Sequence, residues 1–164
     1  MPIPFSEPSP AAIAAAAHHP VELLELIDRL GRLSMANERM RAQLAKELRM
    51  TLHELNAVIY IEYARRITPK DLAANLSLST GTVTALVDRL TDRGVVVRNP
   101  HPRDRRSVLL SLTPAGDEVV GRIIESYAKT TLGALQSAGP ERIRQATDFV
   151  NSLTEAMNTP APPD

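Results

Sequence analysis

From Arg65 to Gly116 the sequence reads as helix, short turn, helix, two strands joined by a basic loop, and the start of another helix. Few folds accept that order, and each boundary carries its own local signal. Thr68 is placed to cap a helix, with Pro69 at its first position and Asp71 facing the unpaired amides of the first turn. Leu72, Ala73 and Leu76 form a short apolar stripe. Leu76-Ser77-Leu78-Ser79 is too short for a strand and predicts a turn. Ser79 can cap a second helix whose inward positions are Val83, Leu86, Val87 and Leu90, the i, i+3, i+4, i+7 spacing of one helical face. Gly94, following Arg93, marks its end.

The opposite face of the second helix carries Thr80, Thr82, Thr84, Ala85, Asp88 and Arg89. Threonine is a poor helix former, and a surface helix shaped only by stability would favour Glu, Lys and Ala. Two explanations stand. The threonines act as local caps and solvated surface. Alternatively, small side chains let the helix N-terminus enter a DNA major groove, where hydroxyls reach base edges and phosphates and methyl groups touch thymine.

The next segment weighs on that choice. Val95-Val96-Val97 and Val108 to Leu112 are β-branched or apolar runs of strand length. The loop between them, Arg98-Asn99-Pro100-His101-Pro102-Arg103-Asp104-Arg105-Arg106, holds four arginines against Asp104 alone. Its two prolines oppose a simple tight turn. An arginine-tipped hairpin directly after a helix-turn-helix predicts a winged helix, and arginine suits the strongly negative potential of a narrow minor groove.

Asp104-Arg105-Arg106, four small or apolar residues from Ser107 to Leu110, then Leu112-Thr113 and Gly116 resemble the wing of the MarR family of bacterial transcription regulators. Leu76 to Leu90 is similar to that family's recognition helix with its preceding turn, and Gly94-Val95-Val96 to the entry into its wing. The close match runs roughly from Thr51 to Val120; the flanking helices agree in pattern only. The resemblance implies a homodimer joined through its terminal helices, bound to a DNA operator and acting, by the family's commoner habit, as a repressor. It implies that Asp104 orients Arg106 by a charge-assisted hydrogen bond and that Arg106 enters the minor groove, with Arg103 and Arg105 as flanking phosphate contacts. It also implies a small aromatic or anionic effector held between the dimer helices and the DNA-reading unit. His53, Tyr60, Tyr63 and Arg66 are the candidates to line that pocket. As bare residues, the tyrosines equally suit helix packing and His53 an exposed first turn.

The chain has 164 residues with zero formal net charge, 43% hydrophobic and only 3% aromatic residues, so its core must be aliphatic. Charge is unevenly spread. Between Arg65 and Leu110 nine Lys and Arg residues face four Asp, a net +5, which leaves −5 elsewhere. A basic middle on an acidic frame fits a DNA reader joined to a separate assembly module. The absence of cysteine excludes disulfides and thiol redox sensing. No apolar run approaches the ~20 residues of a membrane span, and the N-terminus lacks the pattern of a secretory signal. A cytoplasmic protein is expected.

The flanks are helical. Residues 1–20, rich in proline and then alanine, predict a flexible arm. Its adjacent His18 and His19 would point apart on a helix, with no third ligand nearby, so no metal is expected. Leu23, Leu24, Ile27, Leu30, Leu33, Met40, Leu44 and Leu48 define a long helix from Val21 to about Leu48. Thr51 and Glu54 form a capping box that opens a helix to about Tyr63. After the wing, Thr113-Pro114 opens a helix to about Gln136. Residues 137–140 predict a turn. Ile143, Ala146, Thr147, Val150, Leu153 and Met157 define a last helix before a proline-rich tail over 159–164. The fold expected is therefore mainly α: a winged helix-turn-helix over 51–112, with residues 21–50 and 113–158 as a helical dimerisation module. Stripes this wide exceed what a small winged helix can cover, and a second chain resolves that; Ile143, Val150 and Leu153 are the interface candidates. No phosphate loop, nucleophile elbow or metal pair points to an enzyme or a cofactor. The competing reading is a winged helix that binds protein and not DNA.

Overall fold

The computed structural model describes residues 10, 14, 17, 20–104, 107–135 and 139–159. The chain forms two compact units, Met1–Leu55 and Asn56–Asp164.

The first unit is dominated by helix α1, Val21–Glu47. Glu22 in its first turn and Lys46 in its last complement the helix dipole. Arg29–Glu25 and Arg32–Asp28 pair one turn apart on its surface, at 3.2 and 2.8 Å. Burial is confined to its end and the following turn, at Leu44, Ala45, Leu48 and Met50. The leucine stripe expected further back is half-buried at Leu24 and Leu30, whereas Leu23, Ile27 and Leu33 lie exposed in the single chain. The helix closes on Arg49 at φ 53°, with Met50 N–H donating to the Ala45 carbonyl at 2.8 Å and Arg49 N–H to that of Lys46 at 3.0 Å. That is a Schellman end made without glycine. The capping box then forms as expected: Glu54 N–H donates to Thr51 Oγ1 at 3.2 Å and Thr51 N–H to Glu54 Oε2 at 2.8 Å. It opens α2, Leu52–Ala64, inside which the boundary between the units falls.

The second unit adds α3 (Pro69–Leu76), α4 (Thr80–Asp92), β1 (Val96–Pro100), β2 (Val108–Leu112), α5 (Pro114–Leu135) and α6 (Gly139–Asn158). Its centre is aliphatic: Val58, Ile61, Leu72, Val83, Leu86, Val87, Leu90, Val96 and Leu110 are all buried. These include every expected inward position of α4. α3 packs on α4, α4 on β1, and both α3 and α5 on β2. β1 and β2 pair antiparallel, with Val96 opposite Leu112 and Pro100 opposite Val108. The first strand thus begins one residue later and ends three residues later than its valine run suggested, because the ladder extends through Arg98, Asn99 and Pro100. Ile67 flanks β2 on its other edge, giving its N–H to the Leu110 carbonyl at 3.3 Å and accepting from Leu110 N–H at 2.8 Å. Its burial anchors the segment between α2 and α3 to the hairpin.

α5 buries Ile123 and exposes Ile124 and Leu132, and α6 has no buried residue. Gly139 and Pro140 lie in the first turn of α6, not in the turn before it. Proline is well placed there, since its missing N–H would be unpaired in any case. The arm and tail expected over 1–20 and 159–164 lie outside the described residues, apart from residues 10, 14, 17, 20 and 159. No described helix is long and apolar enough to cross a membrane.

Candidate nucleic-acid interface

The helix-turn-helix is built from two capped helices and a tight end between them. Thr68 Oγ1 accepts from Asp71 N–H at 3.1 Å, and Pro69 occupies the first helical position of α3. α3 ends at Ser77, whose φ of 53° and ψ of 39° are left-handed; Leu78 N–H donates to the Ala73 carbonyl at 3.0 Å. The chain therefore turns in two residues. Ser79 then caps α4, accepting from Thr82 N–H at 3.1 Å.

With Val83, Leu86, Val87 and Leu90 buried, Thr80, Thr82, Thr84, Ala85, Asp88 and Arg89 all lie exposed on the outer face of α4. The two explanations for the threonines prove compatible. The Thr82 hydroxyl shares a 2.8 Å hydrogen bond with Ser79 Oγ, and Thr84 Oγ1 donates to the Thr80 carbonyl at 2.9 Å. Both therefore hold fixed rotamers at the helix start. A hydroxyl that donates to its own helix keeps lone pairs for an outside donor, which on DNA means the amino groups of adenine or cytosine in the major groove.

α4 ends in a Schellman turn on Gly94 at φ +68°, with Val95 N–H bonded to the Leu90 carbonyl at 2.9 Å and Gly94 N–H to that of Thr91 at 2.8 Å. β1 leaves from there, so the hairpin rises beside the helix that it follows. An ion pair joins the two: Arg98 Nη2 on β1 lies 2.6 Å from Asp88 Oδ1 on α4. Arg98 is thus a strand residue pinned to α4, and not a loop cation as the sequence suggested. Nothing in the sequence spacing pairs position 88 with position 98; the packing of α4 on β1 across the Gly94 turn does. A second cross-link, Asn99 Nδ2 to Ser111 Oγ at 2.8 Å, stiffens the hairpin.

The tip spans residues 101–107. His101 N–H donates to the Ser107 carbonyl at 3.3 Å, and Ser107 N–H to the Asp104 carbonyl at 3.1 Å. His101 Nδ1 accepts from the backbone N–H of Arg103 at 3.2 Å and of Asp104 at 3.0 Å. Arg103 and Asp104 are exposed at the tip. Arg105 and Arg106, and with them the expected Asp104–Arg106 bond, lie outside the described residues. The base of the wing is tied to α5 through Thr113, whose N–H donates to the Val95 carbonyl at 3.1 Å and whose hydroxyl donates to that of Gly94. Thr113 Oγ1 also caps α5 by accepting from Gly116 N–H at 3.2 Å.

The other candidate residues are more scattered. Tyr60 is half-buried, whereas His53 and Arg66 are exposed and Tyr63 is 83% exposed, so the Tyr63 ring lines no enclosed pocket in the single chain. A groove of about 390 Å³ lies between α5 and α6, lined by Thr131, Leu135, Ile143, Ala146, Thr147, Val150 and Asn151. It contains two of the three interface candidates; the third, Leu153, is half-buried.

The sequence model of the MarR family matches residues 50–108, which span α2, the helix-turn-helix and the wing. The multiple antibiotic resistance protein MarR of Salmonella typhimurium is 34% identical over 99 residues, covering 58% of this chain and 69% of that protein. The chain belongs to the MarR family. Membership places it among transcriptional regulators and not enzymes. Solved MarR-family structures share the fold across most of its length. One, a MarR family protein from Bacillus stearothermophilus, superposes with a TM-score of 0.70 at 22% identity, over 86% of this chain and 99% of that one. Another, a mutant of Escherichia coli MarR complexed with operator DNA, gives 0.56 at 22% identity, over 80% and 95%.

Proposed function

We propose that this MarR-family chain is a homodimeric repressor that binds a pseudo-palindromic duplex through α4 and the wing, and that a small aromatic or anionic effector releases it. One observation carries the reading. An outward helix face of small hydroxyl side chains and the base of an arginine-tipped hairpin are held side by side, by the Asp88–Arg98 pair and the α4–β1 turn, within one compact unit. Two such units on a twofold axis place two α4 helices in successive major grooves, roughly 34 Å apart. Thr80, Thr82, Thr84, Ala85 and Arg89 contact bases and phosphates there. Asp104 orients Arg106 into the minor groove, and Arg103 and Arg105 grip the flanking phosphates.

The wing assignment is tested by Arg106→Ala. The duplex for the test is the one that the wild-type protein selects from a randomised pool. An arginine base contact is worth roughly 1–3 kcal/mol, so losing one in each of two wings should cost at least about thirtyfold in fluorescence anisotropy, with an unchanged melting midpoint. Wild-type affinity in the variant overturns the assignment. If the dimer neutralises about eight phosphates, log affinity falls with log salt at a slope near roughly −7. A wild-type chain that is folded yet selects no duplex favours the protein-binding alternative.

The effector site is assigned to His53, Tyr60, Tyr63 and Arg66 on the family resemblance and on the chemistry of the residues: a phenol pair for stacking and a guanidinium for a carboxylate. A ligand that prefers one spacing of the two reading heads shifts the population toward it. Phenolic acids should raise the melting midpoint of the wild-type protein and not that of Arg66→Ala. A screen that moves neither rejects the site.

A further inference from the structure

The wing tip is organised around a histidine acting as a hydrogen-bond acceptor. We propose that His101 is a positioning residue for DNA binding: the lone pair on its Nδ1 sets the turn from which Arg103 and Asp104 are presented. The proposal rests on the reading of the wing as a DNA contact.

Two consecutive backbone amides, of Arg103 and Asp104, converge on that one nitrogen at 3.2 and 3.0 Å. Both partners can only donate, so in this geometry Nδ1 offers a lone pair to both. The same residue closes the loop through its backbone, His101 N–H to the Ser107 carbonyl at 3.3 Å. Its neighbours leave it that task. Pro100 and Pro102 have no N–H to give, and they restrict the backbone on either side. The first two donors after Pro102 are therefore those of Arg103 and Asp104, and His101 takes both.

A histidine in a basic loop invites a different interpretation, as a cation placed against phosphate. The geometry excludes the two roles at once. A cationic imidazole bears a proton on Nδ1 and cannot accept from either amide. His101 thus acts through the direction it gives the residues after it. Without the acceptor both amides turn to water, the tip samples other conformations, and the fraction of chain with a binding-competent wing falls. Apparent affinity falls by the same factor.

Three full-length variants test this on the duplex selected by the wild-type protein. His101→Asn keeps an acceptor able to bond the amide two residues on; His101→Lys supplies a cation without an acceptor; His101→Ala supplies neither. Anisotropy is expected to show about a tenfold loss for Ala and for Lys, and recovery to within about threefold of wild type for Asn, with all melting midpoints alike. Wild-type affinity in the Ala variant overturns the proposal, as does a Lys variant that binds better than the Asn variant. In the DNA-free protein, ¹⁵N spectra are expected to show the Nε2–H tautomer at His101 and faster amide exchange at Arg103 and Asp104 in the Ala variant. The opposite tautomer also overturns it. If the wild-type chain selects no duplex, the functional reading fails; if it selects one and Ala binds equally well, the role given to His101 fails alone.

Discussion

Gly116 sits where a side chain has no room. A Cβ there would lie 2.4 Å from the Val95 carbonyl oxygen and 3.0 Å from Leu112 Cβ. The close approach follows from Thr113, which pulls the start of α5 against the α4–β1 turn by bonding the carbonyls of Gly94 and Val95. Gly116 N–H in turn bonds Thr113 Oγ1. Gly116→Ala must push α5 off the base of the wing, at a cost of roughly 1–3 kcal/mol for overpacking. In a chain of this size that lowers the melting midpoint by about 2–12 °C, readable by circular dichroism. A midpoint equal to wild type would mean that α5 is not seated as described. The Arg98–Asp88 pair belongs to the same scale but works differently. With side-chain exposures of 35% and 52% it adds about 1 kcal/mol or less to stability. Its consequence is geometric, in fixing the hairpin to the face of α4.

At the scale of elements, what the sequence made legible follows from where backbone needs were met by characteristic side chains. Thr51, Thr68 and Ser79 each cap the helix that their position announced, and Gly94 ends α4 as a left-handed glycine should. The inward face of α4 was readable because only a helical period places Val83, Leu86, Val87 and Leu90 together. Three ends were less readable because residues other than glycine adopt positive φ there: Arg49 at 53°, Arg65 at 59° and Ser77 at 53°. No side chain advertises such a turn; at Arg49 the neighbours Leu48 and Met50 are both buried, whereas those of Ser77 are half-buried and those of Arg65 exposed. The wing was legible in outline but not in register. A strand's length depends on its partner, and Arg98, Asn99 and Pro100 are not strand formers by composition. They enter the ladder because Val108, Leu109 and Leu110 lie opposite. Tertiary packing likewise brings Arg98 to Asp88 on α4 and Ile67 to Leu110, contacts between positions ten and forty-three residues apart that no local pattern encodes. The roles of His101 and of the Thr82 and Thr84 hydroxyls likewise emerged only from the hydrogen bonds.

At the scale of the whole molecule, α6 poses the question of what holds it. None of its residues is buried, yet it runs for twenty residues with Ile143 40%, Phe149 44% and Val150 54% exposed. Intrinsic propensity rarely sustains such a helix in water; packing of an apolar face usually does. Leu132 on α5, 65% exposed, adds to the same need, and the groove between α5 and α6 is lined mainly by apolar side chains. In the proposed homodimer a second copy of the chain would present the matching surface by symmetry, and burying what remains exposed of each such side chain is worth roughly 1 kcal/mol. Val150→Glu places a carboxylate at the centre of that groove, where desolvation costs several kcal/mol. If the proposed dimer forms through this face, the wild-type protein is expected to sediment as a dimer and the variant as a monomer at the same concentration, a shift of at least a hundredfold in dissociation constant. Linking two heads raises avidity by about 10²–10⁴, so the monomer should bind the full palindrome at least a hundredfold more weakly while its affinity for one half-site stays unchanged. A variant that remains dimeric would move the interface away from α6. A monomer that keeps full-site affinity would mean that one wing and one helix suffice.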